Sequence, residues 1–252
     1  MRSFATFKLS AHIPLSESIG VISTLAIRVL VFLVLASVWN GVHSENAGSA
    51  QYLVAYTAMA QALGPLLQPT TSLSEDLANG TIADKLLWPV NLAGFYVSQW
   101  LGKIAISLLM GGVAILLCWH ILFGGTIDPL KLPLFFISLI IGTAVGIEID
   151  FLFSMLVIRV SNETWFVNAI RTSIVAILSG SVIPLAVLPH GLRTLLTYTP
   201  FASMANIPIE SLVNDNFRLS ELAVQILWLV ALALLMIPIY RIVHRRIVVS
   251  GG

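Results

Sequence analysis

The chain has 252 residues, 58% of them hydrophobic and 10% charged, with a formal net charge of +1. Soluble domains carry about 25% charged residues, so this composition excludes an ordinary soluble protein, and its balance gives no electrostatic reason for a nucleic-acid partner. Several apolar runs approach the length that crosses hydrocarbon about 30 Å thick as a helix, and none alternates as strands do; the expected class is an all-α integral membrane protein.

The opening stretch, MRSFATFKLSAHIPLSES, lacks the compact apolar core and small-residue cleavage site of a signal peptide and is expected to be retained. Phe4, Phe7 and Leu9 with Arg2 and Lys8 fit a short interfacial helix as well as a plain cytosolic tail. Six spans are then expected in one domain over residues 1–252, at about 20–40, 52–73, 94–120, 133–157, 164–184 and 221–243. With the N-terminus inside, the inner flanks hold Arg2, Lys8, Lys85, Arg159, Arg241, Arg245 and Arg246, and the outer flanks hold Lys131, Arg193 and Arg218. Seven cations against three place both termini in the cytoplasm. Arg28, near the inner end of the first span, is expected to snorkel to headgroups. Gly64, Pro65 and Pro69 predict a kink in the second span.

Between the second and third spans the chain reads SEDLANGTIADKLLWPVN over residues 74–91, a charged stretch between nearly uncharged ones. Ser72 and Glu75 have capping-box spacing. Leu77, Ile82, Leu86 and Leu87 are apolar among the polar Asp76, Asn79, Asp84 and Lys85, and Ile82 and Leu86 share a helical face. Gly80 bends or breaks the segment and Pro89 ends it. One or two short amphipathic helices along the cytoplasmic surface are predicted.

An acid followed by Asn79-Gly80-Thr81-Ile82 and then Leu86-Leu87-Trp88-Pro89-Val90-Asn91 resembles the inner loop of the six-span ABC-2-type permeases of bacterial ATP-binding-cassette exporters. Trp88 stands where that family commonly has a basic residue. A second patch agrees: Gly180, Pro184, Pro189, Pro200-Phe201 and Pro208 fall where such permeases carry a broken helical pair before the last span. The resemblance implies that residues 74–91 form a coupling helix, with Glu75, Asp76, Gly80, Thr81, Ile82, Leu86, Leu87 and Pro89 seated against a separate ATPase subunit. It also implies two permease copies, identical or sister chains, in the lipid of a bacterial cytoplasmic membrane. The chain has no G-x-x-x-x-G-K-[ST] loop, so ATP is expected on the partner and no cofactor here.

Residues 185–215 are too apolar for a wet loop and too proline-rich for one span. An extracytoplasmic re-entrant helical hairpin would bury Leu185, Val187, Leu188, Leu192, Leu195, Leu196 and Phe201. Pro184, Pro189, Pro200, Phe201 and Pro208 make it either an outer gate or a structural plug. Ionisable groups within spans cost about 2.5–3.5 kcal/mol at mid-helix, so partners are expected. Asp150 and Arg171 lie about 10 Å from the inner edge by helical rise and are predicted to pair. Glu148 is predicted near Lys103 or a hydrated cavity, because Glu148 and Asp150 point to opposite sides of one helix. These four line either structural pairs or the substrate path. Gly142 and Gly146 permit close helix approach, and Cys118 is expected to pack in its apolar run.

His12, His43, His120, His190 and His244 are scattered, no H-E-x-x-H occurs, and no catalytic or metal residue is expected. The expected function is export of a drug, peptide or lipid-like substrate; an intramembrane enzyme and a passive channel or scaffold subunit are the alternatives.

Overall fold

The computed structural model describes residues 18–42, 47–86, 88, 91–157, 164–215 and 217–250. Every regular element among them is helical. The N-terminal reading over residues 1–17, the connection 158–163, and Leu87, Pro89 and Val90 lie outside the described residues.

Helix α1 covers Ser18–Val42 and α2 covers Ala47–Leu67. Two short helices follow, α3 (Leu73–Asn79) and α4 (Ile82–Leu86), then the long α5 (Leu92–Phe123). A single 3-10 turn at Pro129–Lys131 leads into α6 (Leu132–Leu156), and α7 covers Thr164–Leu178. Three short helices, α8 (His190–Thr197), α9 (Pro200–Met204) and α10 (Asn206–Val213), precede α11 (Leu219–Ser250).

Local chemistry explains several boundaries. The Asn91 side chain accepts from Gly94 N at 3.2 Å and starts α5. Asp128 accepts from Leu130 N at 2.9 Å and starts the turn before α6. Helix α2 stops at Leu67, short of the expected residue 73, because Pro69 has no N–H to donate and disfavours helix at the residue before it. The expected Ser72–Glu75 capping box does not form. Ser72 makes no cap bond and its hydroxyl donates instead to Gln99 Oε1 at 2.6 Å, tying the start of α3 to α5.

Among the described residues, four apolar stretches are long enough to cross a membrane: Ile22–Gly41, Leu92–Phe123, Pro129–Leu156 and Leu219–Pro238. Helix α2 has 21 residues but carries Gln51, Tyr52, Tyr56, Thr57 and Gln61. It can be this polar because it meets protein on all sides: residues 53–60 are all buried. Helix α7 has 15 residues, about 22 Å of rise, shorter than a hydrocarbon core.

Two bundles share α2. Helices α1 and α5 pack on it through Phe32, Ala36, Ile115 and Trp119. Helix α6 packs on α11, α10, α9, α7 and α3. Within lipid there is no hydrophobic drive between helices, so close contact and polar bonds hold them. Gly142 and Gly146 supply the close contact. A Cβ on Gly142 would lie 2.6 Å from Ser203 O, and one on Gly146 would lie 2.8 Å from the Pro69 ring. Ile22, Ile27 and Leu30 on α1, Leu109 and Leu117 on α5, and Leu227 and Leu234 on α11 face outward.

Arg28 turns inward rather than snorkelling to headgroups. Its guanidinium donates to Ala62 O at 3.0 Å and Ser107 O at 3.4 Å, and also to Gln61 O. Carbonyls near the end of α2 are within its reach because Gly64 and Gly111 leave room beside it.

Candidate functional site

Helices α3 and α4 form a bracket against the end of the bundle. Gly80 closes α3 at φ +74°, a backbone state open to glycine and strained for other side chains. That turn folds α4 back so that Leu73, Leu77 and Ile82 bury together with Tyr96 and Phe151. The opposite face, with Glu75, Asn79, Gly80, Thr81, Ala83 and Asp84, is exposed.

Asp76 locks the bracket. It forms an ion pair with Lys85, accepts from Thr81 Oγ1 at 2.8 Å and accepts from Tyr96 O–H at 2.8 Å. Burial alone would push the Asp76 carboxyl up, but hydrogen bonds from Lys85, Tyr96 and Thr81, with the Lys85 charge, hold it below the usual aspartate value. The Lys85 ammonium also lies 5.2 Å from the Phe95 ring centre and 5.3 Å from that of Tyr96, within cation–π range. Trp88 is exposed and meets Phe95 edge-on at 5.6 Å. Leu86 is half-buried.

The link from α2 to this bracket, residues 68–72, is gripped by two buried charges from different helices. Asp150 of α6 and Arg171 of α7 approach to 3.5 Å. Asp150 Oδ2 accepts from Thr71 N at 3.0 Å and Thr71 Oγ1 at 2.6 Å. Arg171 Nη1 donates to Pro69 O at 2.6 Å and Nη2 to Thr70 Oγ1 at 2.7 Å. Asn168, one turn from Arg171, donates to Ser74 Oγ at 3.3 Å.

Glu148 and Lys103 are not brought together. Lys103 is exposed on α5, whose main neighbours are α2 and α1, whereas α6 packs elsewhere. Equal depth along two helices says nothing of the direction in which each side chain points. Glu148 Oε2 is buried without a hydrogen-bond partner among the described residues.

The five candidate gate positions are spread along a broken segment. Pro184 precedes a 3-10 turn at Leu185–Val187, Pro189 precedes α8, and Pro200 opens α9. Phe201 packs beside Val145, Ile149, Val175 and Met204. Pro208 sits in the first turn of α10, its ring against Gly142. Residues 202–212 are all buried. Burial does not extend to the whole segment: Val187, Leu192 and Leu195 are exposed, Leu195 by 64%, because α8 buries only Leu196.

At this far end of α2 lies a polar network that the sequence reading missed. Tyr52 O–H donates to Glu210 Oε1 at 2.5 Å, and Asn214 Nδ2 donates to Glu210 Oε2 at 2.7 Å. The Tyr56 hydroxyl lies 3.0 Å from Gly180 O and 3.1 Å from Asn206 Oδ1. A signal was present: Tyr52 and Tyr56 are four apart, as are Asn206 and Glu210, so each pair shares a helix face. Gln225 of α11 similarly donates to Ser203 O at 2.8 Å and accepts from Ser138 Oγ at 2.9 Å. Above Tyr52, a recess of about 380 Å³ opens between Trp119, Asp128, Lys131, Leu212 and Asp215, with Lys131 paired to Asp215 at 2.5 Å.

The profile of a family described as "ABC-2 family transporter protein" matches residues 22–251. No curated protein and no solved structure matches the chain.

Proposed function

The chain belongs to the ABC-2 family of transporter proteins and is a multi-pass permease subunit of an ATP-binding-cassette transporter; from that premise we propose that it exports an amphipathic or hydrophobic substrate, driven by an ATPase seated on α3–α4. The observation that carries this reading is the bracket itself: apolar underside buried on α5 and α6, charged face exposed, and its root gripped by Asp150 and Arg171. ATP is bound and hydrolysed by the partner; Glu75, Gly80, Thr81 and Asp84 meet it. Ile82 and Leu86 hold the bracket's shape from beneath.

In this reading α2 and α7 complete six crossings with the four apolar spans, in one domain, and both termini face the cytoplasm of a bacterial inner membrane. The broken α8–α10 segment is the extracytoplasmic re-entrant element, closing one end of the subunit, and two copies or a sister chain form the transporter. The exposed apolar faces of α1, α5 and α11 suit lipid and that second subunit.

Purification of the full chain from its native membrane tests the reading. An ATPase should accompany it, and Gly80→Pro should abolish that association with insertion unchanged, since proline cannot adopt φ +74°. A cysteine at Asp84 that reacts only with reagents applied outside the cell would overturn it.

A further inference from the structure

Two buried polar atoms at the root of the bracket have no hydrogen-bond partner among the described residues, and they belong to the two side chains that grip it. Asp150 Oδ1 and Arg171 Nε both lack a hydrogen bond among the described residues; Oδ1 has only a loose ion-pair contact with Arg171 Nη1 at 3.5 Å. Buried polar atoms are nearly always bonded, so this pairing of orphans needs a cause. An arginine and a carboxylate left to themselves close in a fork with two parallel bonds. Here the fork stays open because both terminal amino groups of Arg171 are committed to the link, at Pro69 O and Thr70 Oγ1.

The same groups therefore admit two arrangements. In the one observed, Arg171 holds the link. In the other, the link has left and Arg171 closes on Asp150 through Nε and one amino group, satisfying both orphans. Thr70 is already exposed, so its hydroxyl passes to water easily. The link is the chain's path between α2 and α3, so a pull on the bracket reaches it first.

We infer that Asp150 and Arg171 form a latch in which Arg171 exchanges the 69–70 link for Asp150 when the bracket is displaced. The inference rests on the ATPase docking proposed above. The exchange uncouples α7 from the link and lets α6 and α7 move as a pair. Both are positioning residues: they set where the bracket's motion goes.

The test uses the full chain with its co-purified ATPase in lipid nanodiscs, comparing nucleotide-free and ADP–vanadate-trapped complexes. The readout is hydrogen exchange at the Thr71 amide, which Asp150 protects in the latched state. Trapping should speed this exchange about tenfold or more, a local opening and not a global one. Arg171→Lys keeps the charge without the fork, and should remove the dependence on nucleotide. Thr70→Val removes one acceptor from the link, and should make exchange faster before any nucleotide is added. Equal exchange in both states of a hydrolysing complex would overturn the latch and leave the permease reading intact. So would wild-type exchange in nucleotide-free Thr70→Val. Absence of any ATPase from the purified chain would sink both.

Discussion

The two ends of α2 bury polar groups in different ways. Beyond its last turn, formal charges of opposite sign from α6 and α7 hold a link whose middle residues, 69–71, are irregular. Near its first turn, phenols and amides join α2 to α10, and Glu210 is held by the neutral donors Tyr52 and Asn214. An acid and a base stand together where irregular backbone must be satisfied, and a lone carboxyl with neutral donors where two regular helices meet. The difference suggests a joint at one end and a fixed seam at the other.

Asp150→Ala should produce the largest loss. It leaves Arg171 buried and unopposed, at a cost of about 3–5 kcal/mol, read as a fall in melting temperature in detergent. The double variant Asp150→Ala with Arg171→Met should lose less than the sum of the single variants. If the seam were the stronger of the two, Tyr52→Phe would match it; the expectation is less, about 1.5–3 kcal/mol for a bond to a carboxylate. Tyr56→Phe should cost less again, about 1 kcal/mol for a neutral bond, so ranking the two tyrosines by melting tests whether the bond to Glu210 is the stronger tie in the seam.

The smallest effect concerns pH at the bracket. Asp76 has a lowered pKa when folded, so its contribution is present above the unfolded value of about 3.9 and is lost as pH falls through the lowered one. A spin label at Asp84 should keep the same mobility from about pH 8 to pH 5 and loosen only below the ordinary aspartate range. Loosening near neutral pH would mean that Asp76 does not hold α3 and α4 together.

Legibility followed physical range. Long apolar runs and the amphipathic stretch 74–86 are local signals, and the helices α1, α5, α6 and α11 follow them closely. Depth along a helix brought Asp150 to Arg171, because both lie a similar rise from the same edge. Of the two surroundings expected for Glu148, Lys103 or a hydrated cavity, the first is not observed, since similar depth fixes height and not azimuth. Arg28 defeated the snorkelling rule because a tertiary feature, the space beside Gly64 and Gly111, let it reach carbonyls of α2 and α5. The grip on Pro69, Thr70 and Thr71 was unreadable: the backbone groups Pro69 O and Thr71 N carry no sequence signature, and the two threonine hydroxyls do not name their partners. The seam at Tyr52 and Glu210 was readable in the spacing of each pair, but nothing in the sequence sets an expected span beside the broken 185–215 segment.

The two glycines on α6 have a consequence for permeation. Where Gly142 faces Ser203 and Pro208, there is no space even for a single methyl group, so a molecule large enough to need a pump cannot thread between α6 and the α9–α10 turn. Any corridor for cargo must skirt this wall.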